Sequence, residues 1–337
     1  VGAVTSTGMM EVARSGMFDP SRFTFRDVMI LYFSVMLANI ILLDVYNTMG
    51  LPTSTTVALV FCLLGAALAV STVVITSNDE ISLVEIGRYI NSTRAMAILA
   101  GILLSVVLAF TLGTLVMYVS RAIFSFRYTL PFRRFGSMWC GASLTAIVYF
   151  AVFKGLKSIL ADHAFIQLID NHLPSAIAIC WVVCSLLLFF IQRFKVNILR
   201  ITILSGTFAL ALAFAGNDLV NFIGVPLAGY DAWRIAGETG SETMMMWALE
   251  APARANFLLL GVSGLIMVLT LFFSKKSQHV TETELSLASQ HEGDERFGST
   301  FVSRSLVRAS LALNTIWTGL IPDRMQKVID RRFEPLP

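Results

Sequence analysis

Apolar residues run along this chain in long uninterrupted blocks, with neither the spacing of an amphipathic helix nor the alternation of a half-buried strand. Stretches free of Asp, Glu, Lys and Arg cover 28–43, 45–78, 95–120, 135–153, 171–192, 201–217 and 255–274. About 20 helical residues at 1.5 Å each cross a hydrocarbon core about 30 Å thick, so most of these stretches are long enough to span a bilayer. Lipid offers backbone amides no partner, which leaves only helices and closed barrels. A barrel would show a weak period of two, so the solid blocks predict helices. The expected fold class is all-α, a polytopic helical membrane protein.

Composition agrees. Of the 337 residues, 56% are hydrophobic and 14% charged, against about 25% charged in soluble domains, which excludes an ordinary soluble protein. The net charge of +3 is too small and scattered for nucleic-acid binding, so no nucleic-acid partner is expected. Arg121, Arg127, Arg133 and Arg134, then Arg193, Lys195 and Arg200, then Lys275 and Lys276 mark three connections as cytoplasmic. Asp79, Glu80 and Glu85, then Asp162 and Asp170, then Asp231, Glu238, Glu242 and Glu250 mark the alternating ones as external, with Lys154 and Lys157 running against the pattern. Cys62, Cys140, Cys180 and Cys184 lie within apolar stretches and read as small buried residues. His163, His172, His279 and His291 sit in loops without a carboxylate or Cys grouping, so no metal site of that kind, no cofactor and no enzyme chemistry is expected.

Four regions follow. Residues 1–26 read as the end of a truncated helix plus a connecting segment, and 27–273 as the transmembrane domain. Residues 274–303, rich in Ser, Thr, Glu and Gln, read as a cytoplasmic linker with little intrinsic order. Residues 304–337 mix Leu306, Val307, Leu311, Leu313, Ile316 and Trp317 with Arg304, Arg308, Arg324, Lys327, Arg331 and Arg332. That basic amphipathic pattern fits either the anionic inner leaflet or a solvated helix packed on another part of the protein. Both ends look like cuts, and the expectation is an internal fragment of a longer protein.

Two places break the apolar pattern. Asp44-Val-Tyr-Asn-Thr-Met-Gly-Leu-Pro-Thr-Ser-Thr-Thr56 brings an acid, Gly50, Pro52 and the hydroxyls of Thr53, Ser54, Thr55 and Thr56. Pro is favoured at the first helical position, so a new helix is expected here. Its free amides, the positive end of its dipole and four hydroxyls make an anion-binding constellation, whereas a capped surface turn would need fewer hydroxyls. Asp44 fits either a site role or a structural hydrogen bond. The second place, from Ser205 to Pro226, puts Asn217, Asp218 and Asn221 at the end of an uncharged run. Asn217 and Asn221 share a helix face with Asp218 beside them. An ionised Asp at the bilayer centre costs about 2.5–3.5 kcal/mol, so a cation or a proton is expected to accompany it; the bland reading is that Asp218 marks the water interface where the span ends. One break suits an anion and the other a cation, which is the chemistry of cation-coupled anion uptake by a broken-helix transporter.

These residues resemble a known family. Gly216-Asn-Asp-Leu-Val-Asn-Phe-Ile-Gly224 is similar to the Gly-Asn-Asp-x-x-Asn-x-x-Gly signature of PiT-type inorganic phosphate transporters. Leu51-Pro-Thr-Ser-Thr-Thr56 is similar to their Pro-x-Ser-Thr-Thr motif. The resemblance covers about Gly2 to Lys276. It implies an inverted-repeat architecture with broken or re-entrant helices at the motifs, in an integral protein of the plasma (inner) membrane whose C-terminal segment is cytoplasmic. It further implies that Ser54, Thr55 and Thr56 face phosphate and that Asn217 and Asp218 help bind phosphate and a coupling cation, sodium or a proton, with Asn221 beside them. From the residues themselves, Thr53 joins the hydroxyls expected to serve phosphate, and Asp44 and Ser205 are the candidate supports. Inorganic phosphate and membrane lipid are the implied partners, and a homo-oligomer is compatible. Only one copy of each motif is present where the family carries two, so the chain is expected not to transport alone. Val57 stands where many members carry His, which removes any proton role of that His. The competing expectations are another oxyanion such as sulfate or arsenate, proton coupling, or a membrane subunit that senses phosphate without moving it.

Overall fold

The computed structural model describes residues 10–77, 83–126, 128–151, 171–237, 241–251, 256–288 and 298–333. Ten α-helices follow one another among them: α1 (Phe25–Thr48), α2 (Thr55–Thr76), α3 (Ser92–Phe124), α4 (Thr129–Phe150), α5 (Leu173–Arg193), α6 (Ile198–Gly237), α7 (Phe257–Phe273), α8 (Lys275–Ala288), α9 (Phe301–Leu320) and α10 (Asp323–Phe333). Each of the seven uncharged stretches lies largely on one of α1 to α7. Five helices, α1, α2, α3, α5 and α6, are long and apolar enough to cross a membrane, and α7 with α8 forms a further candidate bent by 69°. Asp79, Glu80, Arg127, Lys154, Lys157, Asp162, His163, Asp170, Glu238 and His291 lie outside the described residues, as do residues 1–9.

The α1–α2 hairpin shows how local chemistry sets the chain direction. Thr24 and Asp27 cap the start of α1 reciprocally, Asp27 N–H donating to Thr24 Oγ1 at 3.3 Å and Thr24 N–H to the Asp27 carboxylate at 3.1 Å. At its other end Gly50 adopts φ 64°, the left-handed conformation an L side chain resists. The Leu51 N–H reaches back to the Tyr46 carbonyl at 2.9 Å and the Gly50 N–H to Asn47 at 3.1 Å, satisfying carbonyls that the helix end leaves free. Pro52 prevents continuation. It does not open α2 as expected: Thr55 is the first helical residue and Ser54 the cap, its Oγ accepting from Val57 N–H at 3.3 Å.

Two packed bodies share α6. Its second half joins α1 and α2 around a core that includes Phe18, Tyr32, Val35, Leu59, Leu63, Val225, Ala228 and Ala232. There Gly224 lets the segment before α1 approach closely, because a Cβ at that position would stand 3.1 Å from Ala13 Cβ. Leu260 of α7 packs on Leu219 and Val220 of the same half. The first half of α6 packs on α4 and α5, where Cys140, Leu188 and Ile198 form a separate cluster. Small residues draw that helix pair together, and a Cβ on Gly141 would come within 2.8 Å of Ser185 Cα. By contrast α3, 33 residues long, buries only Ala95 among its described residues, leaving an apolar wall suited to lipid.

The segments carrying Asp19, Glu85 and Glu242 meet at one rim of the first body. Phe18 bridges to Ile90, Thr24 to Met245, and the Phe25 N–H donates to the Met244 carbonyl at 2.8 Å. Arg14, only 4% exposed, is held there. Its Nη1 donates to the Ala251 carbonyl at 3.1 Å, and its Nε lies 3.9 Å from Asp231 Oδ2. At this rim Glu250 binds its proton more tightly than an ordinary carboxyl, because it shares a hydrogen bond with Asp19, with partial burial and the Asp19 charge adding to the effect.

Two expectations give way. The 274–303 region carries more order than a polar linker, since Lys275–Ala288 is helical and packs against α1, with Thr283 fully buried. Its composition hides this because the contact is made by a few side chains of one face. The second break is also absent as a backbone break: α6 runs unbroken for 40 residues through Gly216 and Gly224, with Pro226 inside it. Packing of both halves onto neighbours outweighs the local cost of Pro and Gly in a helix.

Candidate functional site

The two interruptions, 163 residues apart in sequence, touch. The Thr55 hydroxyl donates to Asp218 Oδ1 at 3.0 Å. The Asn221 amide Nδ2 donates to Thr55 Oγ1 at 2.9 Å and to Thr56 Oγ1 at 2.8 Å. A directed chain of hydrogen bonds thus runs from the Asn221 amide through the Thr55 hydroxyl to the Asp218 carboxylate. It locks the first turn of α2 onto the middle of α6. Asn221 is 2% exposed, while Thr55, Thr56 and Asp218 are half-buried and retain an open face.

The position of Asp218 on α6 matters. It follows Ile198 by 20 residues and precedes Gly237 by 19, which places it about 30 Å from either end of a helix about 60 Å long. The carboxylate therefore lies at mid-helix on α6, level with the first residue of α2, to which it is hydrogen-bonded. At the same level the dipole of α2 points its positive end toward the cluster, an arrangement that favours an anion beside Thr55 and Thr56.

The other expected residues divide. Ser54 spends its oxygen as the helix cap, and Thr53, Ser54 and Asn217 are exposed at the edge of the cluster. Ser205 lies 13 residues before Asp218 on the same helix, about 20 Å along its axis, and is not brought to the cluster. Asp44 is ion-paired with Lys276, which follows α7, so its geometry agrees with the structural alternative.

A residue that sequence inspection missed adjoins the cluster. Behind Asn221 lies a cavity of about 260 Å³ lined by Asn39, Leu43, Asp44, Asn47, Phe222 and Pro226, among others. The Oδ1 atoms of Asn39 and Asn221 are both buried and without a hydrogen-bond partner. Such an oxygen carries a desolvation cost of about 1–3 kcal/mol that a donor or cation would relieve. Pro226 contributes as well: lacking an N–H, it has nothing to donate to the carbonyl of Phe222, four residues earlier. The only sequence signal for Asn39 was an amide inside an uncharged run, which by itself does not stand out.

With this geometry in place, the comparisons are decisive on one point. The model of the phosphate transporter family matches residues 1–276. The chain belongs to the phosphate transporter family. No curated protein and no solved structure matches it. In this family member both motifs that carried the resemblance fall within the matched residues, and the match ends at Lys276, so nearly all of α8 and the whole of α9 and α10 lie beyond it.

Proposed function

We propose that this chain supplies half of the translocation site of a sodium-coupled phosphate transporter, with Thr55 and Thr56 presenting hydroxyls to phosphate and Asp218 placed between anion and cation. The observation that carries the reading is the Asn221–Thr55–Asp218 hydrogen-bond chain, which holds an anion-seeking helix start against a carboxylate at mid-helix. Thr53, Ser54 and Asn217 line its exposed edge. A multiply charged anion beside an ionised Asp is electrostatically costly, and a bound cation offsets that cost. The neighbouring cavity suits the cation, because the Asn39 and Asn221 amide oxygens and the Phe222 carbonyl are hard oxygen donors. On the inverted-repeat reading, a second copy of each motif, not among these 337 residues, completes the site, and the two sets rock against each other to expose it alternately.

The same reading puts the rim that carries Asp19, Glu85 and Glu242 outside the cell and Lys276 inside, with Arg121, Arg193 and Lys195 also inside, although Arg22, Arg26 and Arg88 stand on the rim beside those acids. Sodium-driven uptake of labelled phosphate by cells expressing the full reading frame tests it. Asp218→Asn is expected to keep its fold and lose sodium-dependent uptake; wild-type sodium dependence in that variant removes Asp218 from the mechanism. Competition by sulfate or arsenate as strong as that by phosphate reassigns the substrate, and uptake that follows a pH gradient alone reassigns the coupling ion. Retained phosphate binding with no flux, together with a partner captured by the segment from Ser274 onward, selects a sensing subunit.

A further inference from the structure

The residues beyond the family match include a helix whose sides are all uncovered. Every residue from Phe301 to Ile316 is exposed, although Val302, Leu306, Ala309, Leu313 and Ile316 recur at spacings of four and three and form one apolar stripe along α9. Its start is fixed by a reciprocal cap in which Ser303 N–H donates to Thr300 Oγ1 at 3.2 Å and Thr300 N–H to Ser303 Oγ at 2.9 Å. Arg304 and Arg308, one turn apart, lie on the side opposite the stripe.

Three observations say what covers it. Ser303, Arg304, Ser305, Arg308, Ser310, Asn314 and Thr315 make α9 too polar to cross a bilayer, and it is not among the candidate spans. Only Ile321 and Pro322 separate it from α10, which packs against the candidate membrane span α3, so its C-terminal end is tethered beside the hydrocarbon wall. Finally, residues 301–333 hold six Lys and Arg against two Asp, a balance suited to an anionic surface.

We propose that α9 lies along the membrane surface, with its Val302–Ile316 stripe at the acyl boundary and the basic residues of this segment drawing it to anionic lipid headgroups. The test uses the full chain in lipid vesicles, with its four native cysteines replaced and a bimane label on Leu313→Cys in the stripe or on Thr315→Cys across the helix. In vesicles of mixed phosphatidylcholine and phosphatidylglycerol, brominated acyl chains should quench the label at 313 about threefold more than that at 315, and aqueous iodide should show the reverse order. The contrast should shrink in phosphatidylcholine alone, in about 0.5 M salt, and in Arg304→Gln/Arg308→Gln. Equal quenching at the two positions overturns the proposal. So does a label at 313 shielded from both quenchers, which would mean that protein covers the stripe, and so does a contrast indifferent to headgroup charge. Leu306→Cys repeats the measurement two turns away on the same stripe should Leu313→Cys fail to fold.

Discussion

The two halves of α6 use one continuous helix for opposite purposes. Residues 198–209 meet α4 and α5 through close apolar contact, with Cys140, Leu188 and Ile198 in a small cluster, beside the Gly141–Ser185 contact that draws α4 and α5 together. Residues 218–236 meet α1, α2 and α7 through a larger apolar core that ends, at the level of Asp218, in a hydrogen-bonded polar cluster. The difference lies in the partner. α4 presents the side of a helix, where backbone groups bond within the helix, so side-chain fit decides the contact. α2 presents its N-terminal turn, whose Thr55 and Thr56 hydroxyls meet the Asp218 carboxylate and the Asn221 amide. A polar site arises on α6 where a neighbouring helix begins, and packing suffices where a neighbouring helix passes by.

Substitutions in the packing around the two halves should therefore separate function from stability. The largest functional effect is expected from Asn221→Leu, which removes both amide donors to Thr55 and Thr56. Phosphate uptake by the full-length protein should fall more than about tenfold, since two hydrogen bonds of about 1 kcal/mol each orient the hydroxyls. Uptake within about twofold of wild type would show that the hydrogen-bond chain is structural only. Gly141→Val should do the reverse: its Cβ has no room beside Ser185, and overpacking of about 1–3 kcal/mol should lower the melting temperature. Phosphate affinity of the folded fraction should be unchanged, and a parallel loss of affinity would show that the two halves of α6 are coupled.

Smaller effects sharpen the picture. Thr56→Val deletes one acceptor of the Asn221 amide while Thr55 keeps its bond to Asp218, so uptake should drop several-fold, less than in Asn221→Leu. An equal loss would make the Thr56 hydroxyl's own contact with phosphate the larger part of the effect, and unchanged uptake would remove Thr56 from the phosphate site. The smallest effect is expected at the rim, outside the spans. Because the proton of Glu250 is held more tightly in the folded state, the stability it contributes is present at acid pH and fades as pH rises through its raised value. Glu250→Gln should flatten that slope in thermal unfolding followed from about pH 4 to pH 7; an unchanged slope assigns the pH dependence to another group.

Much of this was legible in the sequence. Gly50, Pro52 and Ser54 announce the hairpin because a left-handed turn, a missing N–H and a helix cap are local requirements met by particular residue types. The Asn-Asp signature and the hydroxyl run likewise stood out against apolar surroundings. Other features were hidden. Sequence inspection ended a span at Asn217, whereas α6 continues to Gly237 because contacts with α1, α2 and α7 support it past Gly216 and Pro226. Asn39 had no distinguishing neighbour, and its link to Asn221 exists only because α1 and α6 flank one cavity. The pairing of Asp44 with Lys276 spans 232 residues and follows from the bend between α7 and α8.

The sequence by itself determined that the chain is helical and membrane-embedded, where its helices turn, and which polar residues interrupt it. Those outcomes depend on hydrophobic length, backbone freedom and residue chemistry, all of which act within a few turns of chain. Tertiary structure alone decided that the Asn221 amide holds both threonines, that Asp218 sits at mid-helix and that Asn39 shares its cavity. Each of these is a distance between segments far apart along the chain, set by how side chains of several helices interlock.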